Sequence, residues 1–94
     1  MVRTWPFKDP ENLAVIALKQ IVHDGQPILH VVHDSDDGGW QFLSWRDADT
    51  EDAIVVALRT IVRLDESVGE LADLPLGWHA WRRSLQLPWQ RSKV

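Results

Sequence analysis

Residues 28–45, ILHVVHDSDDGGWQFLSW, decide the fold class of this chain. An apolar run rich in β-branched residues meets an Asp-Asp-Gly-Gly turn, and a second run rich in aromatic residues follows. Asp-Gly and Gly-Gly pairs favour tight hairpin turns, because glycine adopts at little cost the positive φ that such turns require. The pattern therefore predicts a β-hairpin with strands Ile28–His33 and Trp40–Trp45.

The segment before this hairpin predicts a further strand. Leu13–Val22, LAVIALKQIV, is apolar and of strand length, and it is followed by Asp24-Gly25, which is typical of a two-residue hairpin turn. Leu13–Val22 would then pair with Ile28–His33 in antiparallel fashion. Together with the hairpin, the three segments predict a three-stranded antiparallel meander.

The register of the meander follows from a second turn centred on Asp37-Gly38, which sets His33 opposite Phe42, Val32 opposite Leu43 and His30 opposite Trp45. One face then collects Ile16, Leu18, Leu29, Val31, Trp40 and Phe42, and the other collects Val15, Ala17, Ile21, Ile28, Val32, Leu43 and Trp45. Both faces are apolar, whereas a solvated face would carry polar residues. We expect each face to be covered by a helix, by the Trp-rich C-terminal segment or by a second subunit.

The segment AIVVALRTIVRL, residues 53–64, allows two interpretations. As one helix capped at Thr50, it would place Leu58 and Ile61 inside the protein. As a strand over Ala53–Leu58, it would be followed by a short helix that starts near Arg59. The β-branched run favours the strand and helix.

The remaining segments complete a single α+β domain over residues 1–94. Residues 66–74 predict a short helical turn and residues 77–83 a last strand, with an irregular arm at 1–12 and a basic tail at 84–94. The fold class expected is α+β, a three-stranded antiparallel meander extended by further strands with one or two short helices packed on one face. We expect no internal repeat.

Composition excludes several classes of function. The chain has 94 residues, a net charge of −4 and no cysteine, so it has neither disulfides nor a thiolate zinc site and is a poor general binder of polyanions. No apolar run reaches about eighteen residues, and the first residues lack the apolar core of a signal peptide, so we expect a cytoplasmic protein without a membrane span.

Motifs for catalysis or for a metal are weak. His30 and His33 are three residues apart on a predicted strand and so point to opposite faces, which disfavours a shared metal ion. The loop beginning at Asp34 lacks the terminal glutamate of a calcium loop, since Trp45 stands at its twelfth position. There is no Gly-x-Ser-x-Gly elbow and no glycine-rich phosphate loop before a helix. We expect no metal and no cofactor, and the sequence singles out no catalytic residue.

Six tryptophans make the chain tryptophan-rich, and one or two of them are expected at a surface or an interface. Because Trp and Arg are enriched at binding hot spots, the candidate partner-binding residues are Trp45, Trp78, Trp81 and Arg82. An acidic segment, 34–52, and a basic segment, 82–94, could align two subunits. We predict a homodimer and an unidentified protein partner, and neither nucleic acid nor membrane as a partner.

Three segments together, WPFKDPEN, PILHVVHDSDDGGWQFL and LDESVGELADLPLGWHAWR, resemble a group of small stand-alone bacterial proteins of unknown function. The resemblance spans nearly the whole chain and implies a bacterial cytosolic origin, and it assigns no catalytic residue. Some short acidic bacterial proteins are immunity factors against toxins, an analogy of class only. We expect a non-catalytic protein that acts through protein–protein interaction. The alternative is a small enzyme or ligand-binding domain with a pocket between the sheet and the C-terminal segment.

Overall fold

A computed structural model describes residues 4–44 and 50–94 of the chain. Within these ranges six strands form, namely β1 (Ala14–Leu18), β2 (His30–His33), β3 (Trp40–Leu43), β4 (Ala53–Ala57), β5 (Trp78–Trp81) and β6 (Gln90–Lys93). Two short α-helices, α1 (Lys19–Asp24) and α2 (Leu58–Leu64), and two 3₁₀ helices (Thr50–Asp52 and Glu66–Leu71) accompany them. The strands form one mixed sheet, so the predicted α+β class is confirmed.

The strand order is β4-β1-β3-β2-β5-β6, which differs from a consecutive meander. The β2–β3 hairpin is antiparallel as predicted, but β1 lies beside β3 and runs parallel to it. Residues Lys19–Asp24 form α1 instead of extending the first strand, and Gly25, at φ 72°, is the left-handed C-cap of that helix. Because α1 intervenes, β2 does not fold directly back onto β1, and β3 inserts between them.

The hairpin register differs from the predicted one by two residues. His33 lies opposite Trp40, and Val31 lies opposite Phe42. The connection spans Asp34–Gly39 and is closed by a bond from the Asp34 N–H to the Gly39 carbonyl (2.8 Å), so it is longer than a two-residue turn. A shift of two residues preserves the predicted side of the side chains within β2 and β3, since the side-chain period of a strand is two. The predicted faces were wrong for the first strand, because parallel pairing with β3 puts Val15 and Ala17 on the core side with Phe42, and Ile16 and Leu18 on the opposite side with Gln41.

The hydrophobic core lies on one face of the sheet, beneath α1, α2, the second 3₁₀ helix and the N-terminal arm. Trp40 is 1% exposed at its centre, with the Phe7 ring edge-on at 5.3 Å between centroids. The Trp40 indole N–H donates to Asp9 Oδ2 (3.0 Å), so the one polar atom of this buried side chain has a hydrogen-bond partner. The expected burial of Trp40 is confirmed.

The C-terminal part of the chain follows the favoured interpretation and adds one strand. Residues 53–64 form β4 followed by α2, and residues Glu66–Leu71 form the 3₁₀ helix. The final predicted strand appears as β5, and β6 pairs with it inside the segment predicted as an irregular basic tail. Its sequence, Gln-Arg-Ser-Lys, has no apolar alternation, so the pattern that predicts strands was missing there.

A strand–helix unit occurs twice in this chain, so the expectation of no internal repeat was wrong. VIALKQIV at 15–22 and VVALRTIV at 55–62 are identical at five of eight positions. Each unit leads to a hairpin, β2–β3 in the first half of the chain (residues 14–43) and β5–β6 in the second half (residues 53–93). The halves join through antiparallel pairing of β1 with β4 and of β2 with β5.

Candidate functional site

The two faces of the sheet are unlike each other. The apolar residues of α1 and α2 pack on one face, and the opposite face, here called the open face, carries no helix from the described ranges. Its strand residues are Ala14, Ile16, Leu18, His30, Val32, Gln41, Leu43, Ala53, Val55, Ala57, His79, Trp81, Gln90 and Ser92. Of these only Leu18, at the end of β1, is buried, whereas Val55 is 69% exposed and Ile16 is 40% exposed.

The open face carries no formal charge from carboxylate, ammonium or guanidinium groups. None of its residues is Asp, Glu, Lys or Arg, although such residues make up 26% of the chain. The polar side chains on it are two glutamines, a serine and two histidines. Depletion of charge at the centre with polar groups around it is typical of the core of a protein–protein interface.

Two histidines and a tryptophan form an aromatic cluster on the open face. The β2–β5 register pairs His30 with Trp81 and Val32 with His79, so the two imidazoles are diagonal neighbours. His30 Nε2 lies 3.0 Å from His79 Nδ1, and the Trp81 ring lies 5.0 Å from the His79 ring. One imidazole donates this hydrogen bond and the other accepts it, which requires an unprotonated nitrogen in the pair.

Burial lowers the pKa of His30 below its ordinary value of 6.5, and the electrostatic interaction with His79 lowers it further. Both causes disfavour the imidazolium form of His30. The cluster therefore keeps the open face uncharged at His30 at neutral pH, in line with the absence of Asp, Glu, Lys and Arg from that face.

The structure separates the residues that the sequence grouped as partner-binding. Trp81 lies on the open face, whereas Trp78, three residues earlier on the same strand, lies on the other face and packs against the core. Trp45 lies outside the described residues. A strand presents alternate residues to opposite sides, so Trp78 and Trp81 cannot share one surface.

Arg82 is buried, with 4% of its surface exposed, and its guanidinium binds groups inside the protein. Its Nε and Nη2 donate to the Ile28 carbonyl (3.3 and 3.1 Å), and Nη1 donates to Ser67 Oγ (2.9 Å). Nη2 also donates to Asp65 Oδ2 (2.5 Å), and the Trp89 ring lies 4.0 Å from the guanidinium carbon. Arg82 thus links the end of β5 to the segment before β2 and to the second 3₁₀ helix, and it offers no free fork to a partner.

A cavity of about 300 Å³ lies beside this ion pair, and none of its lining residues belongs to a strand, whereas the alternative function expects a pocket between the sheet and the C-terminal segment. Ile21, Ile28, Leu64 and Leu85 form its apolar lining. Its polar lining residues include Arg82, Asp65 and Ser67, which bind one another, since Asp65 Oδ1 also accepts from the Ser67 N–H (2.9 Å). A ligand site needs polar groups that converge on the cavity, and these are already engaged.

The described residues hold no group of three or more His, Asp or Glu side chains placed to bind a metal ion. His30 and His33 lie on opposite faces as their spacing predicted. The His33 ring stacks on Trp40 at 3.9 Å, and its Nδ1 lies 2.7 Å from the Leu74 carbonyl oxygen. Among the described helices none is long and apolar enough to cross a membrane.

Two arginines of the basic C-terminal segment contact carboxylates of the same subunit that lie outside the acidic segment 34–52. Arg91 Nη2 contacts Asp73 Oδ1 (3.0 Å), and Arg82 contacts Asp65. The pairing of the two charged segments across a dimer stays a prediction.

Comparisons with models of known protein families, with curated proteins and with solved structures found no match. The resemblance to small bacterial proteins, drawn from the three sequence segments, stays a prediction. The function is therefore argued from the geometry and chemistry of the open face and of the Arg82 cavity.

Proposed function

We propose that this protein is a non-catalytic binding protein whose open face engages another protein. The observation that carries the proposal is a six-stranded sheet with one face whose strand residues include no Asp, Glu, Lys or Arg and which no described helix covers. Apolar surface of this extent on one side of a small domain is typical of an interaction site, because isolated domains rarely leave such patches in water.

The chemistry of the open face fits a protein partner. Trp81 offers a large, half-buried aromatic surface with a single donor, which is the kind of side chain that dominates binding energy at protein interfaces. Gln41 and Gln90 supply amide groups that can bond to a partner. The face is built on paired strands, so a partner would meet a preformed surface and association would order few backbone groups.

The alternative is a ligand-binding domain that uses the Arg82 cavity. Its volume of about 300 Å³ is at the lower limit of pockets that hold small ligands. Arg82, Asp65 and Ser67 already form hydrogen bonds with one another, and a ligand would have to replace these bonds, which disfavours ligand binding in this cavity.

The test compares the full wild-type chain with Trp81→Ala in the recovery of a protein partner from an extract of the source organism. Leu76→Ala is the matched control, since Leu76 is 57% exposed in the loop before β5 and is not a residue of the open face. We expect wild type and Leu76→Ala to recover the same protein, in the same amount relative to the immobilised chain. Trp81→Ala should weaken binding about tenfold or more while its thermal melting stays cooperative.

Equal recovery by all three proteins, or recovery by none, would contradict binding through the open face. Small molecules that raise the melting temperature of wild type but not of Leu85→Trp, which narrows the cavity, would favour the ligand-binding alternative.

A further inference from the structure

The two edges of the sheet differ in how they are protected against pairing with another strand. β6 is Gln-Arg-Ser-Lys, so Arg91 and Lys93 place charge along that edge, and Pro88 precedes it. β4 is Ala-Ile-Val-Val-Ala, without charge or proline. Edge strands of natural sheets are normally guarded by charge, proline or a bulge, because unpaired backbone groups recruit other strands. β6 has such protection, and β4 lacks it.

The backbone of β4 presents a defined set of hydrogen-bonding groups to the outside. The Leu58 N–H donates to the Leu13 carbonyl (2.8 Å), which continues the β1–β4 ladder. Hydrogen-bonded and non-bonded pairs alternate in an antiparallel ladder, so Ile54 and Val56 direct their backbone groups at β1. Ala53, Val55 and Ala57 therefore direct theirs away from β1. The Ala57 carbonyl is used as the N-cap acceptor of α2 and the Ala53 N–H closes the 3₁₀ turn before β4, so Val55 keeps both backbone groups for a further strand, whereas Ala53 keeps its carbonyl and Ala57 its N–H.

The side chains around this edge are apolar and symmetric. Val55, the middle residue of β4, is 69% exposed, and its cross-strand neighbour Ile16 is 40% exposed. On either side of Val55 the outward-directed residue is an alanine, which adds little bulk to a close approach of two strands.

Charges of opposite sign flank β4 at equal distances from Val55. Glu51 stands four residues before Val55 and Arg59 four residues after it, and both side chains are exposed. In an antiparallel pairing of two copies of β4, each Glu51 comes to the end of the strand where the other copy carries Arg59. Two antiparallel copies of β4 therefore match in the charges at their ends and in the positions of their outward backbone groups. Two copies of β6 would instead bring like charges together, because β6 carries two cations.

We propose that two copies of this chain associate through antiparallel pairing of β4 about a two-fold axis at Val55. Val55 of one copy lies opposite Val55 of the other and exchanges two backbone hydrogen bonds with it, and each Ala57 N–H donates to the Ala53 carbonyl of the other copy. The two sheets join into one, and their open faces lie on the same side. This pairing uses the outer backbone edge of β4, whereas the proposed function is tested through the side chain of Trp81 on β5, so either can fail alone.

Sedimentation velocity of the full chain over a range of micromolar concentrations tests the proposal. Wild type should sediment as a dimer, and Val55→Lys should sediment as a monomer with a dissociation constant raised at least about tenfold, because it places two ammonium groups opposite each other. Val55 is exposed, so the lysine is compatible with the folded subunit, which thermal melting confirms. Gln90→Lys is the matched control, since it puts the same charge on the open face at the opposite edge and should leave the dimer intact.

A charge exchange tests the orientation of the pairing. Glu51→Arg and Arg59→Glu should each weaken the dimer, and the double variant should restore it, with the effect of each single change reduced by added salt. A wild-type chain that sediments as a monomer at every concentration overturns the proposal. So does a dimer that persists in Val55→Lys, and a double variant that fails to restore association overturns the antiparallel register.

Discussion

The first half of the chain occupies the middle of the sheet, whereas the second half supplies both of its flanks. β1, β3 and β2 are the three inner neighbours, β4 lies on one side of them, and β5 and β6 lie on the other. The two halves share the strand–helix–hairpin order, yet β3 pairs with β1 while β6 does not pair with β4. The strand–helix–hairpin unit thus occurs twice but occupies two different positions in the sheet, according to which strand its hairpin pairs with.

The halves also differ in what holds them in place. The first half contributes Val31, Trp40 and Phe42, which are 0–1% exposed, so it is held mainly by burial of apolar surface. The second half shares this core through α2 and Val68 but is also attached by charged side chains, Arg82 to Asp65 and Arg91 to Asp73. The open face draws equally on the two halves, with seven strand residues from each, whereas the edge proposed for self-association, β4, belongs to the second half alone.

The largest expected effect is that of Trp40→Ala, in the centre of the first half. Removing a fully buried tryptophan should lower the free energy of unfolding by about 3–5 kcal/mol, because the cavity cannot collapse fully. Trp81→Ala on the open face should cost much less, about 1 kcal/mol. Denaturant unfolding measures both. If Trp40→Ala melts within a few degrees of wild type, the assignment of the core to the first half fails.

The next effect concerns the buried link that attaches the second half. Arg82→Met should lower the free energy of unfolding by about 3 kcal/mol, at the lower end for a broken buried pair because Asp65 keeps some exposure to water. Arg82→Lys should be less destabilised than Arg82→Met but still less stable than wild type, since an ammonium group cannot reproduce the several hydrogen bonds of the planar guanidinium. A double-mutant cycle with Asp65→Ala reports the coupling. A coupling energy near zero would show that the second half is held by packing alone.

Acid should weaken the contact between the halves at His30 and His79. The pKa of His30 is below 6.5 in the folded protein, so the unfolded chain binds that proton more readily. The stability associated with the neutral form is therefore complete above pH 6.5 and is lost as the pH falls through the pKa of the folded state. Unfolding measured across this range should show a steeper loss for wild type than for His30→Gln. The exposed His23, replaced as His23→Gln, should leave the slope unchanged, and equal slopes for all three would contradict the prediction.

The smallest effect is expected for the exposed ion pair between Arg91 on β6 and Asp73. The hydrogen bond from Arg91, and then its charge, keep the pKa of Asp73 below its ordinary value of 3.8. Arg91→Ala should let that pKa rise toward the ordinary value, followed by NMR titration of the carboxyl carbon, with little change in melting temperature, because exposed pairs contribute little. A large drop in melting temperature would show that β6 is held by this contact.

Local patterns predicted local structure well. The β2–β3 hairpin, the strand and helix at residues 53–64 and the burial of Trp40 followed from β-branching, glycine positions and apolar content. Gly25 shows the limit of such patterns. Its positive φ was implied by Asp24-Gly25, but both a hairpin turn and a helix C-cap use that conformation, and the choice depended on whether Lys19–Asp24 would be helical.

The site was harder to predict, because it depends on strand order. Trp81 was identified from its residue type, and its place on the open face follows from pairing with β2. Arg82 was expected at a surface, but it is buried and paired with Asp65. This pair could not be predicted from a local pattern, because the two residues are seventeen positions apart in the sequence. The absence of charge on the open face becomes visible only when all six strands are in order. The repeated strand–helix unit was available in the sequence and was missed because two of its eight positions are conservative replacements and a third is Gln against Thr.

Amide hydrogen exchange followed by NMR at low and high protein concentration tests the division of roles between the halves most directly. The account predicts that Ala17, Val31 and Phe42, in the inner strands, exchange slowest at both concentrations. The Val55 amide, directed outward from β4, should exchange fast in the dilute monomer and slow as the chain associates. Slow exchange of Val55 at both concentrations, or faster exchange in β2 and β3 than in β5 and β6, would contradict the account.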